Sequence, residues 1–319
     1  MNENRLRPRQ PRRGVGRDLR SLLLGLMTCI IAGESLAAGT APDPTRGTVG
    51  ILLVSHGSHS KNWRTMLEEV GTHVARELRE DAVIGRVRSA FMEYTEPSIA
   101  TQLKAFDADG VSNIVVVPVL LTVSGHSFDD IPIIAGQRED RATQDRLAME
   151  KIEVYRPKAR VTFTPLLDFP RVLEANAVRR VRQMAREPGQ EGVVLVAYGD
   201  ETYNDEWEEL MRKVGKALKE QTGVAVVNHS WCGHIVRYQG EPTEKAIREV
   251  LETRERALVV PVLVAVDETF QGRIIGGAIE KVAQPSRIVY RHDSVLPDEN
   301  VNRWLVDIAR EYARKYVQP

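Results

Sequence analysis

The chain reads as an α/β protein of two tandem, similar lobes, each a small parallel sheet of about four strands flanked by helices. Two observations predict this. Short β-branched runs alternate with charged segments of helical period, the pattern of parallel strands covered by helices. Landmarks then recur at a near-constant spacing: VVLVAYGDE (193–201) repeats ILLVSHGSH (51–59), EPTEKAI (241–247) repeats EPSIATQ (96–102), and ALVVPVLVAV (257–266) repeats NIVVVPVLLTV (113–123), at offsets of 142, 145 and 143 residues. Such spacing marks a duplicated unit.

Taken in order, the first lobe has strands at 49–55, 85–92, 113–121 and 160–167, each rich in Val, Ile, Leu or Phe. Charged amphipathic segments at 61–80, 97–108, 130–149 and 169–186 supply its helices. Pro and Gly in REPGQEG (186–192) break the helical pattern and mark the lobe boundary. The second lobe repeats the series, with strands at 192–198, 223–230, 256–264 and 286–292 and helices at 203–221, 242–255, 272–283 and 297–316.

The 319 residues carry 44 basic and 44 acidic side chains, and this zero net charge is a sum of unlike parts. The first 37 residues hold seven arginines against three acids, so the remainder is mildly acidic at 37 to 41, and nothing in it suggests a nucleic-acid partner. After those arginines come an apolar run from Leu22 to Gly33 and then Ser35-Leu36-Ala37 before Ala38, the three-part plan of a secretory leader. At 12 residues the run is too short to span a bilayer, so no stable membrane insertion is expected once the leader is removed. The expected organisation is a signal peptide at 1–37, cleaved after Ala37, an N-terminal lobe carrying the site at 38–187 and a C-terminal degenerate repeat at 188–319, with an exported, periplasmic destination. Removing the leader takes Cys29 with it, and Cys232 then has no cysteine to pair with.

In open parallel sheets ligands sit beyond the carboxyl ends of the strands. There the first lobe places Ser55-His56-Gly57-Ser58-His59, then Met92-Glu93-Tyr94-Thr95-Glu96-Pro97, then SGHSFDDIP with His126, Asp129 and Asp130. His56, Glu93 and His126 are therefore expected to face one crevice, where two imidazoles and a carboxylate form a divalent-metal or acid/base set. The repeat acts as a control. Tyr198 stands at the place of His56, Thr269 at that of His126, and Tyr238 or a neighbour at that of Glu93, while Gly199, Pro242 and Pro261 match Gly57, Pro97 and Pro118. The scaffold keeps its glycine and prolines and drops the trio.

Other polar residues have structural readings. Asp129 and Asp130 fit as caps of the next helix, with contact to His126 as the sharper alternative. His59 and His73 read as solvated. His229-Ser230-Trp231-Cys232-Gly233-His234 resembles a metal cluster, but strand alternation sends Cys232 to the face opposite His229 and Trp231. No GK[ST] phosphate loop, no GxGxxG after a strand and no GxSxG elbow occurs, so neither ATP nor NAD is expected to take part.

SHGS after the first strand, FMEYTEPS after the second and VVVPVLLTVSGHSFDDIP through the third resemble the class II chelatases of the CbiX-type sirohydrochlorin cobaltochelatase family. The resemblance is close over about residues 49–135, and SGHSFDDIP is its most specific part. It implies a chelatase-like fold of two lobes facing across a cleft that takes a flat tetrapyrrole, as a monomer or homodimer. It places the metal-binding and proton-accepting histidines on His56 and His126 and their acidic partner on Glu93. The implied activity is ATP-independent insertion of a divalent metal, Co²⁺ before Ni²⁺ or Fe²⁺, into sirohydrochlorin or a related tetrapyrrole of cobalamin or other tetrapyrrole biosynthesis. An exported metal or tetrapyrrole carrier without turnover is the alternative. Sirohydrochlorin carries eight carboxylates, so basic residues are expected around the cleft, with Arg64, Arg138 and Arg273 in suitable positions. His59 stands where an arginine commonly follows HGS.

Overall fold

Each half of the chain builds a four-stranded, all-parallel sheet, with order β2-β1-β3-β4 in the first lobe and β6-β5-β7-β8 in the second. The computed structural model describes residues 49–316. The first lobe runs β1 (Val49–Ser55), α1 (Lys61–Glu77), β2 (Ile84–Phe91), α2 (Ile99–Ala108), β3 (Asn113–Pro118), a π-helical turn Gly125–Asp130, α3 (Ile131–Ile134), α4 (Arg141–Met149) and β4 (Arg160–Phe163). After α5 (Val172–Met184) come β5 (Glu191–Ala197), α6 (Asn204–Thr222), β6 (Val226–Trp231), α7 (Glu241–Thr253), β7 (Arg256–Val262), a π-helical turn Thr269–Gly276, α8 (Gly277–Glu280), β8 (Ile288–Tyr290) and α9 (Glu299–Arg314). The expected signal peptide and its cleavage site lie outside the described residues. No helix among the described residues is long and apolar enough to cross a membrane.

β1 and β5 are buried at every position, as befits a central strand covered by helices on both faces, and so they read as near-continuous apolar runs, with Ser55 at the end of one and Glu191 at the start of the other. Ser60 and Ser98 cap α1 and α2 by accepting the backbone N–H three residues on. The segment expected as one helix at 130–149 is broken. Gly136 takes φ 65°, a helix-ending conformation in which a Cβ would stand 2.6 Å from Arg156, and Asp140 then caps α4 afresh. The helix expected at 272–283 is likewise a π turn followed by the short α8.

Three apolar clusters make up the core. One covers the outer face of the first sheet under α2 and α3, and one covers the outer face of the second under α7. The third is shared by both sheets and filled by α1, α5, α6 and α9. The helices of this shared layer do not stay with the half that precedes them. α5 follows the first sheet but packs on α6 and β7 of the second, with Arg180 donating to the Pro261 carbonyl at 2.7 Å and Asn176 to the Val295 carbonyl at 2.9 Å. α9 closes the chain by packing on α1, β1 and β3 of the first, where Arg310 donates to the Glu77 carbonyl at 2.9 Å. Periodicity marks these segments as helices and says nothing about which sheet they cover.

Candidate functional site: a two-histidine, one-carboxylate set in the cleft

Parallel register brings three chemistry-bearing side chains level. Ser55 pairs with Phe91 and Val54 with Pro118, so β1, β2 and β3 end together. The Met92 N–H donates to the Ser55 carbonyl at 2.8 Å and the Glu93 N–H to the His56 carbonyl at 3.1 Å, extending the pairing two residues beyond β2. Gly57 permits this. Its φ is 93°, and a Cβ there would stand 2.0 Å from the Glu93 carbonyl oxygen. The third side chain arrives on the π-helical turn after β3, which Ser124 and Ser127 close with a reciprocal capping box, and His126 is its second residue.

His56 Nε2 lies 3.0 Å from Glu93 Oε1 and 3.2 Å from His126 Nε2, and ligand atoms of the three residues all fall within 4.8 Å of one another. The other ring nitrogens are committed. His56 Nδ1 lies 2.9 Å from the Gly57 carbonyl, to which it can only donate, and His126 Nδ1 is 2.8 Å from Asp130 Oδ2. With both Nδ1 atoms protonated, the two Nε2 atoms aim lone pairs at each other, an arrangement satisfied by a proton or a cation between them. Metal–ligand bonds of about 2.1 Å spanning the observed 3.2 and 3.0 Å would meet at about 100° and 90°, between tetrahedral and octahedral values.

Electrostatics agrees with this geometry. Burial works against a charge on His56, but the hydrogen bond and charge of Glu93 outweigh it and hold the imidazole above its ordinary pKa. Burial likewise opposes ionisation of Glu93, and the His56 contact outweighs it, so the carboxyl lies below its ordinary range. Behind His126, Asp130 is 1% exposed and is held in turn by Arg146. Its side chain makes no helix-cap bond, so the contact to His126 is its role.

His56 and His126 line a cleft of about 530 Å³ walled by both lobes, and Glu93 lies behind His56. Both histidine-bearing loops are tied to the second lobe: Ser58 Oγ donates to Asp267 Oδ2 at 2.7 Å, the Gly125 N–H to Asp200 Oδ2 at 3.2 Å, and the Tyr203 hydroxyl to Asp129 Oδ2 at 2.8 Å. Asp129 also pairs with Arg138, so it too is no cap. The far wall carries Tyr198, Tyr238 and Phe270. Asp200, Asp267 and these aromatics were not singled out as a wall by sequence reasoning; the one signal for them is their position just past β5 and β7 and around the turn after β6.

Several expectations change. Cys232 and Gly233 donate to the Ala197 and Tyr198 carbonyls as Met92 and Glu93 do to Ser55 and His56, so the counterpart of Glu93 is Gly233, not Tyr238. His59 does not simply face solvent; it lines the cleft and packs against Tyr94, ring centroids 4.8 Å apart. Arg64, Arg138 and Arg273 do not line the cleft: Arg64 donates to the Ser58 and His59 carbonyls, Arg138 pairs with Asp129, and Arg273 donates to Thr269. His229 pairs with Glu208 at 3.0 Å and packs on Trp231, while Cys232 is buried on the other face; among the described residues the metal-capable group is the trio.

Solved structures share this architecture. The sirohydrochlorin chelatase SirB of Bacillus subtilis subspecies spizizenii, crystallised with cobalt, superposes with a TM-score of 0.58 at 18% identity over 84% of this chain and 96% of its own. A SirB structure from Bacillus subtilis with Fe³⁺ gives 0.62 at 19% identity over 83% and 96%. The fold is that of the class II chelatases, here with the His56, Glu93 and His126 set in the first lobe and without its counterpart in the second. The CbiX family model matches residues 50–184. The sirohydrochlorin cobaltochelatase of Methanosarcina barkeri is 34% identical over 92 residues, 29% of this chain and 68% of the relative. That of Sulfurisphaera tokodaii is 37% identical over 83 residues, 26% and 64%. The chain thus spans about two thirds of the length of these curated relatives. It belongs to the CbiX family of metal chelatases.

Proposed function

We propose that the protein inserts a divalent metal into sirohydrochlorin or a closely related tetrapyrrole, with Co²⁺ the favoured ion and Ni²⁺ and Fe²⁺ suited to the same donors. The observation that carries the reading is the convergence of His56, Glu93 and His126 within 4.8 Å, with both histidines lining a cleft between the lobes. The names of the curated relatives support the substrate and the metal. Neutral imidazole and one carboxylate form an open set, which leaves coordination positions for water and for an incoming pyrrole nitrogen, whereas a closed four-ligand site would retain the ion.

Insertion exchanges one M²⁺ for two pyrrole N–H protons. As the ion passes to the ring nitrogens, the Nε2 lone pairs of His56 and His126 are released and become proton acceptors. Glu93 favours the protonated form of His56, and Asp130 takes the Nδ1–H of His126 and stabilises the imidazolium that forms. The exchange balances in charge with these groups alone, and insertion without ATP is part of the proposal. One chain supplies both cleft walls, and the reading needs no second copy. Export through the leader at 1–37 is part of the proposal; a mature N-terminus at Ala38 in a periplasmic fraction is the expected finding.

The test mixes purified protein, sirohydrochlorin and Co²⁺ and follows the absorbance change of metallation against the spontaneous rate. Catalysed, multiple-turnover insertion that is lost in His126→Ala is the expected result. No acceleration with Co²⁺, Ni²⁺ or Fe²⁺ refutes it, and one stoichiometric binding event without turnover replaces it with a carrier.

A further inference from the structure

Resting on that reading, we infer that the second lobe has become a ring-binding wall: Tyr198, Tyr238 and Phe270 take the flat face of the macrocycle, and its carboxylates are left to solvent. Specificity then lies in the ring and not in the number of its acidic side chains.

Three observations converge. First, the second lobe does not merely lack the trio. At the positions matching His56 and Tyr94 it carries Tyr198 and His234, joined through the Tyr198 hydroxyl, which lies 3.1 Å from the Tyr238 hydroxyl and 3.3 Å from His234 Nδ1. Phe270 packs on Tyr198 with ring centroids 5.5 Å apart and stands 6.4 Å from Tyr238, so the three rings form one patch. Second, the rings facing the cleft are held out where folding alone would not put them. Tyr94 and Tyr238 are 58% and 50% exposed, and both take positive φ, 65° and 57°, which side chains other than glycine adopt at a cost. Third, among the described residues no lysine or arginine lines the cleft, whereas Asp200, Asp267 and Glu268 do. A polycarboxylate gripped by its periphery requires cations there, and this wall offers rings and acids.

The test uses the full protein and two free-base porphyrin probes, one with eight carboxylates and one with two, with binding followed by fluorescence quenching at low and high salt. The two dissociation constants are expected to agree within about threefold and to change by less than about twofold between roughly 0.05 and 0.5 M salt. Tyr238→Leu with Phe270→Leu should weaken both probes about tenfold; Tyr238→Phe should bind as the wild type does; and Co²⁺ binding to the metal-free trio should be the same in all. Much tighter, steeply salt-dependent binding of the eight-carboxylate probe overturns the inference. So does wild-type binding by the ringless variant, or failure of both probes to bind while sirohydrochlorin is metallated. Ring-dependent binding without catalysed Co²⁺ insertion sustains it and removes the chelatase reading instead.

Discussion

Gly57→Ala is the sharpest single-atom test of how the backbone sets the candidate metal site. The new Cβ would lie 2.0 Å from the Glu93 carbonyl oxygen, while an ordinary contact needs about 3.4 Å, so the end of β2 must retreat by about 1.4 Å or the β1 terminus must rotate. The φ of 93° adds backbone strain of about 1–2 kcal/mol. Together the stability loss should be about 2–4 kcal/mol, or roughly 4–10 °C in melting temperature for a unit of this size. A displacement of about 1 Å at a catalytic group can cost about a hundredfold in rate, and that is the expected loss in Co²⁺ insertion, with weakened Co²⁺ binding. Two controls separate the causes. Gly110→Ala meets the same kind of strain, at φ 71°, in open space and should cost only about 1 kcal/mol with insertion intact. Gly125→Ala, beside His126, has open space and an ordinary φ and should be near neutral. Differential scanning fluorimetry and stopped-flow absorbance provide both readouts. A Gly57→Ala protein that melts and metallates like the wild type would show that the glycine does not set the His56–Glu93 geometry.

Three further outcomes follow from the same contacts. Metal binding needs His56 neutral, and Glu93 holds its pKa above the ordinary imidazole value, so Co²⁺ affinity should fall as pH drops through a point above that value; Glu93→Gln should move the fall to lower pH while weakening binding at high pH, read by Co²⁺ titration across pH. Asp130→Asn should reduce Co²⁺ affinity about 10–100-fold by releasing the His126 ring, with calorimetry as the measure and wild-type affinity as the refuting result. Asp298 caps α9, and although burial opposes its charge, Asn176, Arg179 and the backbone N–H groups of Asn300 and Val301 hold its carboxyl below the usual range. Its stabilisation is present above the unfolded carboxylate range and is lost as pH falls through the folded value; Asp298→Ala should cost about 2–4 kcal/mol at neutral pH and flatten that acid limb in denaturant titrations.

What could be read before folding was what local pattern encodes. β1 and β5 are near-continuous apolar runs because both faces are covered, and a repeat of such runs at fixed spacing gives two sheets directly. His56, Glu93 and His126 were legible because strand ends in a parallel sheet are level, which makes residues 70 positions apart neighbours by topology. The counterpart of Glu93 was misplaced because the loop after β6 is longer than that after β2, and a sequence offset carries no register; the carbonyl pairing does. That Arg64, Arg138 and Arg273 do not line the cleft was also illegible. Arg64 and Arg138 find partners on their own loops, at the Ser58 and His59 carbonyls and at Asp129, choices that helix period does not encode.

The exchange of α5 and α9 bears on what a lobe without the trio contributes. Each sheet is covered on its shared face by a helix that the other half of the chain delivers, so neither half owns a complete core. The histidine loops are likewise completed from across the cleft, Ser58 by Asp267 and Gly125 by Asp200. A lobe that supplies core and loop anchors is constrained in its framework and free at its strand ends. That is the pattern seen: Gly199 and Pro261 stand where Gly57 and Pro118 do, while the His56 position has become Tyr198 and the Glu93 position Gly233. Under the proposed function, a single His56, Glu93 and His126 set per cleft lets an ion and a flat ring approach from opposite walls without competing for the same side chains.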